Sequence, residues 1–166
     1  HTKDQVWDIL RRIRCLKATN ITWPDDLGGD DIWIMTVNGT HCAVEEPNHP
    51  IWSQDREYYS HKCNRAGINY EIGISITENK LIWMNGPFKA GKNDVSIFTK
   101  QGLKNRLLYL KKKAIGDGGY HGHYNCISTP NAHDSKAVRT FKSRALKRHE
   151  TFNGRTKVFE ILRQQF

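Results

Sequence analysis

Three polar side chains have the type and spacing expected of ligands for divalent metal ions: Asn38, Asp117 and Glu150. Asn38 ends an apolar segment, Asp117 follows the short apolar segment Ala-Ile-Gly, and Glu150 is the one carboxylate among eight Lys and Arg of residues 135–157. Phosphoryl transfer on nucleic acid needs such oxygen ligands, because hard cations must be held at the attacking and leaving oxygens. We therefore treat these three residues as the candidate catalytic and metal-binding set.

Each of the two acids also has a plain structural interpretation. Asp117 stands in a Gly-Asp-Gly-Gly sequence, and Asp is a common turn residue because its side chain bonds to nearby backbone. Glu150 has Lys147 and Arg148 beside it, so an ordinary surface ion pair on a helix also explains it. Spacing alone favours these structural interpretations over the metal site.

The positive charge of the chain is concentrated in its second half. Residues 89–157 hold 16 Lys or Arg and four acids, a net +12, whereas the whole chain carries +9. Such a surface favours a polyanion, because each phosphate neutralised releases condensed counterions. A solvated surface that serves only solubility is the alternative. The DNA contacts that we predict all lie in residues 135–157: Arg139, Lys142, Lys147 and Lys157.

The apolar periodicity predicts an α/β order that would position these residues. No apolar run approaches the roughly 20 residues of a membrane helix, so no membrane partner is expected. The strand before Asn38 is predicted to stop at Asn38-Gly39, a strong turn pair, with a returning strand after it. Helices are predicted at 4–17, 93–113 and 134–162, with an Asp134 cap on the last, and strands at 32–38, 41–46, 68–76, 80–85 and 114–116.

A competing motif lies at 86–92, where Gly-Pro-Phe-Lys-Ala-Gly-Lys satisfies the G-x-x-x-x-G-K pattern of a phosphate-cradling loop. The next residue is Asn93, where that loop requires Ser or Thr to bind magnesium. The motif also follows several predicted strands instead of the first one. A nucleotide hydrolase is therefore the weakest of our function hypotheses, and a loop before a helix is the simpler interpretation.

Six sequence blocks in order resemble one known family. They are TVNGTHCAVEEP, EYYSHKCNRAGINYEIGISI, LIWMNGPFKAGKNDVSIF, IGDGGYHGH, ISTPN and SRALKRHETFNGRTKVFEIL. This series is similar to the DDE superfamily endonuclease domains of eukaryotic transposases of the Harbinger and IS4EU type. The resemblance covers nearly the whole chain from about Trp23 onward.

The resemblance implies an RNase H-like fold, with a central mixed β-sheet flanked by α-helices, and a site that holds Mg²⁺ or Mn²⁺. The family's second acid falls on Asp117 and its glutamate on Glu150, whereas Asn38 occupies the place of the first acid, normally Asp. We expect an N-terminal helical segment at 1–22 and the endonuclease domain at 23–166. DNA is the expected partner, with a separate DNA-recognition domain or protein, and the nucleus is the expected location.

Three function hypotheses follow. The first is metal-dependent phosphodiester hydrolysis and strand transfer on DNA, impaired by Asn38. The second is a domesticated transposase-derived module that keeps the fold and binds DNA without cutting it. The third is the nucleotide hydrolase.

Overall fold

The computed structural model describes residues 4–5, 33–44, 56–78 and 80–157. The predicted helix at 4–17 and the predicted boundary after residue 22 lie almost entirely outside these ranges, so both remain predictions. Within the described ranges no helix has the length and hydropathy needed to cross a bilayer.

Six strands and three helices make up the described part of the chain. The strands are β1 (Trp33–Ala43), β2 (Tyr59–Ser60), β3 (Arg65–Ser75), β4 (Leu81–Lys89), β5 (Lys113–Ile115) and β6 (Ile127–Ser128). The helices are α1 (Asp94–Lys100), α2 (Leu103–Tyr109) and α3 (Lys136–Thr156), and 3₁₀ turns occur at Arg56–Tyr58 and Gly118–Tyr120.

The strands form one mixed sheet in the order β4-β3-β1-β5-β6, with β2 pairing to the start of β3. Strand β1 is antiparallel to β3 and parallel to β5, and β5 is parallel to β6. Helices cover both faces, since Val37 packs with Phe98 of α1 and Leu107 of α2, while Ile115 packs with Phe141 of α3. This is the α/β, RNase H-like architecture that was predicted.

Helix α3 lies along β1 and runs in the same direction. Its Phe141 stacks on Trp33, its His149 contacts Thr36 through Nδ1 at 2.8 Å, and its Asn153 accepts a hydrogen bond from the Thr40 hydroxyl at 2.6 Å. Residue numbers on β1 and on α3 increase together along this contact, from Trp33 and Phe141 to Thr40 and Asn153. The far end of the helix is therefore held over the second half of β1.

The predicted turn at Asn38-Gly39 is wrong, because β1 passes straight through it. Asn38 pairs with Ile72 and Gly39 with Glu71, so one long β3 strand spans both halves of β1. An Asn-Gly pair turns the chain only where the two flanking segments pair with each other. Here both flanking segments pair with β3 and not with each other.

Two helix boundaries also differ from the predictions. The helix expected at 93–113 is two helices, because Gly102 adopts φ 101° between α1 and α2, in the left-handed region that glycine favours. Helix α3 is capped by the Ser135 hydroxyl, which accepts from the Val138 N–H, and not by Asp134. The carboxylate of Asp134 instead bonds to the Asn131 N–H and the Lys142 ammonium.

Candidate metal centre and its surroundings

Asn38 points to the α3 side of the sheet. Side chains alternate along a strand, and its neighbours at i−2 and i+2, Thr36 and Thr40, both contact α3. Its cross-strand partner Ile72 packs in a cluster with Phe152 of α3. The amide is half-buried, and its Oδ1 accepts a hydrogen bond from the Gly39 N–H at 2.8 Å.

Asp117 comes two residues after the end of β5, the strand beside β1. Thr36 pairs with Ile115, so two further residues along each parallel strand bring the chain to Asn38 and to Asp117. The Gly116 N–H still bonds to Ser128 O, and Asp117 is extended at φ −78° and ψ −178°. Its Oδ1 caps the 3₁₀ turn by accepting from the Gly119 N–H at 2.9 Å. The turn-forming role and the strand-end position thus occur together.

Glu150 is exposed on the flank of α3 that faces β5. One turn earlier, Leu146 packs against the cluster that contains Ile115. From Leu146 to Glu150 the helix advances about 6 Å. From Ile115 to Asp117 an extended chain advances about 6.6 Å in the same direction. Each predicted acid thus follows its packed residue by a similar advance along the sheet, and their proximity to each other stays a prediction.

The donor set fits a hard divalent cation in kind, because it offers two carboxylates and one amide oxygen. The three side chains are not gathered into a finished centre: Asn38 Oδ1 and Asp117 Oδ1 each accept from backbone, and Glu150 is exposed. No group of three or more His, Cys, Asp or Glu able to hold a metal occurs in the described ranges. The assignment of Asn38, Asp117 and Glu150 as ligands therefore remains a prediction.

The opposite side of β1 carries two acids that the sequence did not single out, Glu71 and Asp94. Gly39 points to this side, and a Cβ added there would lie far inside contact distance of Asp94 Oδ1. Glu71, the ladder partner of Gly39, is only 1% exposed, and its Oε2 accepts a hydrogen bond from the Trp83 indole N–H at 2.9 Å. Its Oε1 has no partner among the described residues.

Burial dominates the electrostatics on this side. Desolvation raises the pKa of Glu71 to about 7, which the Trp83 hydrogen bond opposes and Asp94 reinforces. Desolvation also raises the pKa of Asp94, with Lys62 opposing and Asp117 reinforcing. The Tyr120 hydroxyl is buried without a described partner, and its pKa is raised by desolvation and by Asp94, Glu71 and Asp117. Asp94 thus lies within electrostatic reach of the candidate ligand Asp117.

The predicted DNA-contacting residues divide into two kinds. Arg139, Lys147 and Lys157 are exposed, as phosphate contacts require. Lys142 is 4% exposed, and its ammonium bonds to the Asp134 carboxylate at 2.9 Å and to Thr129 O at 3.2 Å. Lys142 is therefore not available to a DNA backbone, and we withdraw it from the set, since helical periodicity alone could not show that Asp134 folds back over it.

The segment 86–92 does not have the conformation of a phosphate-cradling loop. Residues Gly86–Lys89 belong to β4, with Phe88 paired to Asn69 and Lys89 paired to Ile68, and the Gly86-Pro87 peptide is cis. Only residues 90–93 form the connection to α1. The expected loop before the helix is thus short, and the geometry gives no support to the nucleotide hydrolase.

Sequence reasoning missed Glu71, Asp94 and Tyr120 because each resembles an ordinary residue of its local element. Asp94 opens a helix, where acids are common, and Glu71 fits the polar positions of an alternating strand. The signal available in the sequence was that Glu71 has large, mainly apolar neighbours, Tyr70 and Ile72. The strand that contains them is buried on both faces.

A mixed sheet with helices on both faces is the architecture of RNase H-like domains. A family model described as DDE superfamily endonuclease matches residues 37–166. The chain belongs to this family. No curated protein and no solved structure matches the chain.

Proposed function

We propose that this domain cuts and joins DNA phosphodiesters with divalent metal, as a transposase-derived endonuclease of the Harbinger and IS4EU type in the nucleus. The observation that supports the proposal is the position of Asp117 two residues after β5, the strand that runs parallel to β1 with Asn38. Glu150 follows one turn after Leu146 on α3, which packs against the same sheet. The exposed Arg139, Lys147 and Lys157 support the DNA part.

Asp117 and Glu150 would hold Mg²⁺ or Mn²⁺, with the amide oxygen of Asn38 next to them. When bound, such an ion generates a strong oxygen nucleophile near neutral pH and stabilises charge on the phosphoryl group. The residues of the chain itself position the DNA: cations on α3 hold its backbone, while α3 stays docked on β1 through His149 and Asn153. Burial next to Arg148 lowers the pKa of His149 to about 3, so this contact is made by a neutral ring.

Asn38 favours a second function, DNA binding without efficient cutting. An amide keeps an oxygen that can face a cation, but it removes one negative charge where two cations repel each other. A domesticated module that retains the fold and the basic helix would have this composition. In both functions we expect a separate DNA-recognition domain or protein to select the target.

The test of cutting is the substitution Asn38→Asp. We expect it to raise magnesium- or manganese-dependent nicking of transposon-end DNA by about tenfold or more, because it restores a ligand charge. The matched control is the double variant Asn38→Asp/Glu150→Gln, which should return to the starting level. If the single variant neither tightens metal binding nor exceeds this control, Asn38 does not stand at a ligand position.

The test of binding is the triple variant Arg139→Gln/Lys147→Gln/Lys157→Gln. It should flatten the plot of log K against log salt by up to about three units, since each phosphate contact contributes about one. A control triple variant, Lys100→Gln/Lys104→Gln/Lys111→Gln, removes the same charge from the α1–α2 side. Equal slopes for the two triple variants would place the DNA elsewhere.

A further inference from the structure

A cavity of about 350 Å³ opens on the side of the sheet to which Gly39 points, opposite to the side of the Asn38 side chain. Gly39 and His41 of β1 form its floor, and Asp94, which is electrostatically coupled to Asp117, forms part of its wall. Lys157, the C-cap residue of α3, closes one edge. The cavity therefore lies across β1 from the Asn38 side chain, with Asp94 connecting it to Asp117 and Lys157 connecting it to α3.

The walls of this cavity are fixed by specific contacts. The Gly91 N–H bonds to Glu57 O at 2.7 Å, and a Cβ on Gly91 would lie 2.7 Å from the same oxygen. On the floor, His41 Nδ1 contacts Asn69 Oδ1 at 3.2 Å while the Asn69 amide donates to Ala90 O. These contacts tie strand β3, the connection to α1 and the turn at Arg56–Tyr58 into one frame. The cavity is thus a built feature and not a gap between loops.

The charge of the cavity is positive although an acid lines it. Three lysines from three separate segments line it, Lys62, Lys92 and Lys157, against the single carboxylate of Asp94. Its remaining polar lining includes the exposed His61 ring. Lysines serve as point-charge partners of phosphate, and a histidine ring can stack on an unpaired base. Gly91 and Lys92 are the last two residues of the G-x-x-x-x-G-K segment, which otherwise has no role.

We propose that this cavity holds one unpaired nucleotide of the DNA strand, next to the phosphodiester that reacts. The inference rests on the proposed function and deepens it. The volume is at the lower end of the roughly 300–1,000 Å³ of small-ligand pockets. A base pair within a duplex does not fit, so the nucleotide enters only from a frayed end, an overhang or a flipped position, as in other enzymes that take bases out of the stack. A free nucleoside monophosphate offers the same chemistry and is distinguished by experiment.

Cys63 provides a direct probe, because it lines the cavity with a half-buried free thiol. The other cysteines must not contribute to the signal: Cys42 and Cys126 are buried, and the protein used carries Cys15→Ser, because Cys15 lies outside the described ranges. We would measure the rate of alkylation of Cys63 by iodoacetamide in a Glu150→Gln variant without metal, so that cutting plays no part. The control carries Cys63→Ser with Asn105→Cys, an exposed thiol on α2.

We expect saturating DNA with a short single-stranded overhang to slow Cys63 alkylation about tenfold or more, and blunt duplex to slow it far less, since only an unpaired nucleotide enters. The Asn105→Cys thiol should be unaffected by either DNA. Bound overhang DNA that leaves Cys63 reactive, or slows both thiols equally, overturns the proposal. Protection by deoxynucleoside monophosphate but not by DNA would make this a free-nucleotide site and also overturns it.

A second measurement uses charge. Lys62→Gln/Lys92→Gln should reduce the preference for overhang DNA over blunt duplex, whereas the control Lys100→Gln/Lys111→Gln should lower both affinities alike. An unchanged preference in the first double variant contradicts the proposal. Both readouts are binding measurements, so a failure of DNA cutting and a failure of this cavity assignment give different results.

Discussion

Asn38 and Gly39 are adjacent in β1 and point to opposite sides of the sheet. The acidic side chains on these two sides differ in burial and in pKa. On the α3 side, Glu150 is exposed and Asp117 half-buried. On the α1 side, Glu71 is buried and its pKa is raised to about 7, and the pKa of Asp94 is raised as well. Glu150 is thus accessible to a ligand, whereas protein atoms surround the Glu71 carboxyl group.

This difference in burial and pKa shows that the number of acids near a strand does not identify a metal centre. Burial without a cationic partner favours the protonated form of a carboxyl group, and a protonated acid is a poor metal ligand. On the α1 side, Glu71 is therefore in a state that resists metal binding. On the α3 side Asn38 is an amide, and the acid Glu150 is left accessible.

The largest expected effect that tests this comparison is that of Glu71→Gln. The pKa of Glu71 is about 7 in the folded protein against an ordinary 4.5, so folded stability from this group is complete below pH 4.5 and is lost as pH rises through 7. Glutamine resembles the protonated acid and has no such loss. We expect the variant to match the parent near pH 4.5 and to exceed it by roughly 3 kcal/mol in free energy of unfolding at pH 8.

Urea unfolding at several pH values measures this difference. The difference between variant and parent is essential, because buried His149, with a pKa lowered to about 3, makes the parent less stable as pH falls below 6.5. If the variant and its parent keep a constant separation from pH 4.5 to pH 8, Glu71 is not a buried acid of raised pKa.

The next largest effect is expected for Gly39→Ala. Its new methyl group would overlap Asp94 Oδ1, and overpacking of this kind costs about 1–3 kcal/mol. The matched control is Gly154→Ala in α3, where a Cβ meets open space and the helix should gain up to about 1 kcal/mol. Thermal unfolding would show opposite shifts for the same substitution. Shifts of the same sign would mean that Asp94 moves aside freely.

The sequence predicted the positions of one side of β1 much better than those of the other. Asp117 was placed after a strand and Glu150 on a helix because apolar β5 and the long amphipathic α3 are local patterns that survive in the structure, and their roles as ligands stay predictions. Glu71 and Asp94 were missed because their surroundings come from Gly39 and Trp83, on other strands. The wrong prediction of a turn at Asn38-Gly39 has the same cause. Pairing with β3, which lies outside the local segment, keeps the chain extended there.

The smallest effect is expected for Glu150→Gln. Its side chain is exposed, and substitutions of this kind usually change the free energy of unfolding by less than about 0.5 kcal/mol. Glu71→Gln makes the same chemical change at a buried position, so the two variants compare a buried carboxyl group with an exposed one. In the Asn38→Asp background, however, Glu150→Gln should abolish the gain in metal-dependent nicking while the unfolding curve stays unchanged. A large loss of stability would instead show that Glu150 belongs to a structural ion pair on α3, and the ligand role would then have to be given up.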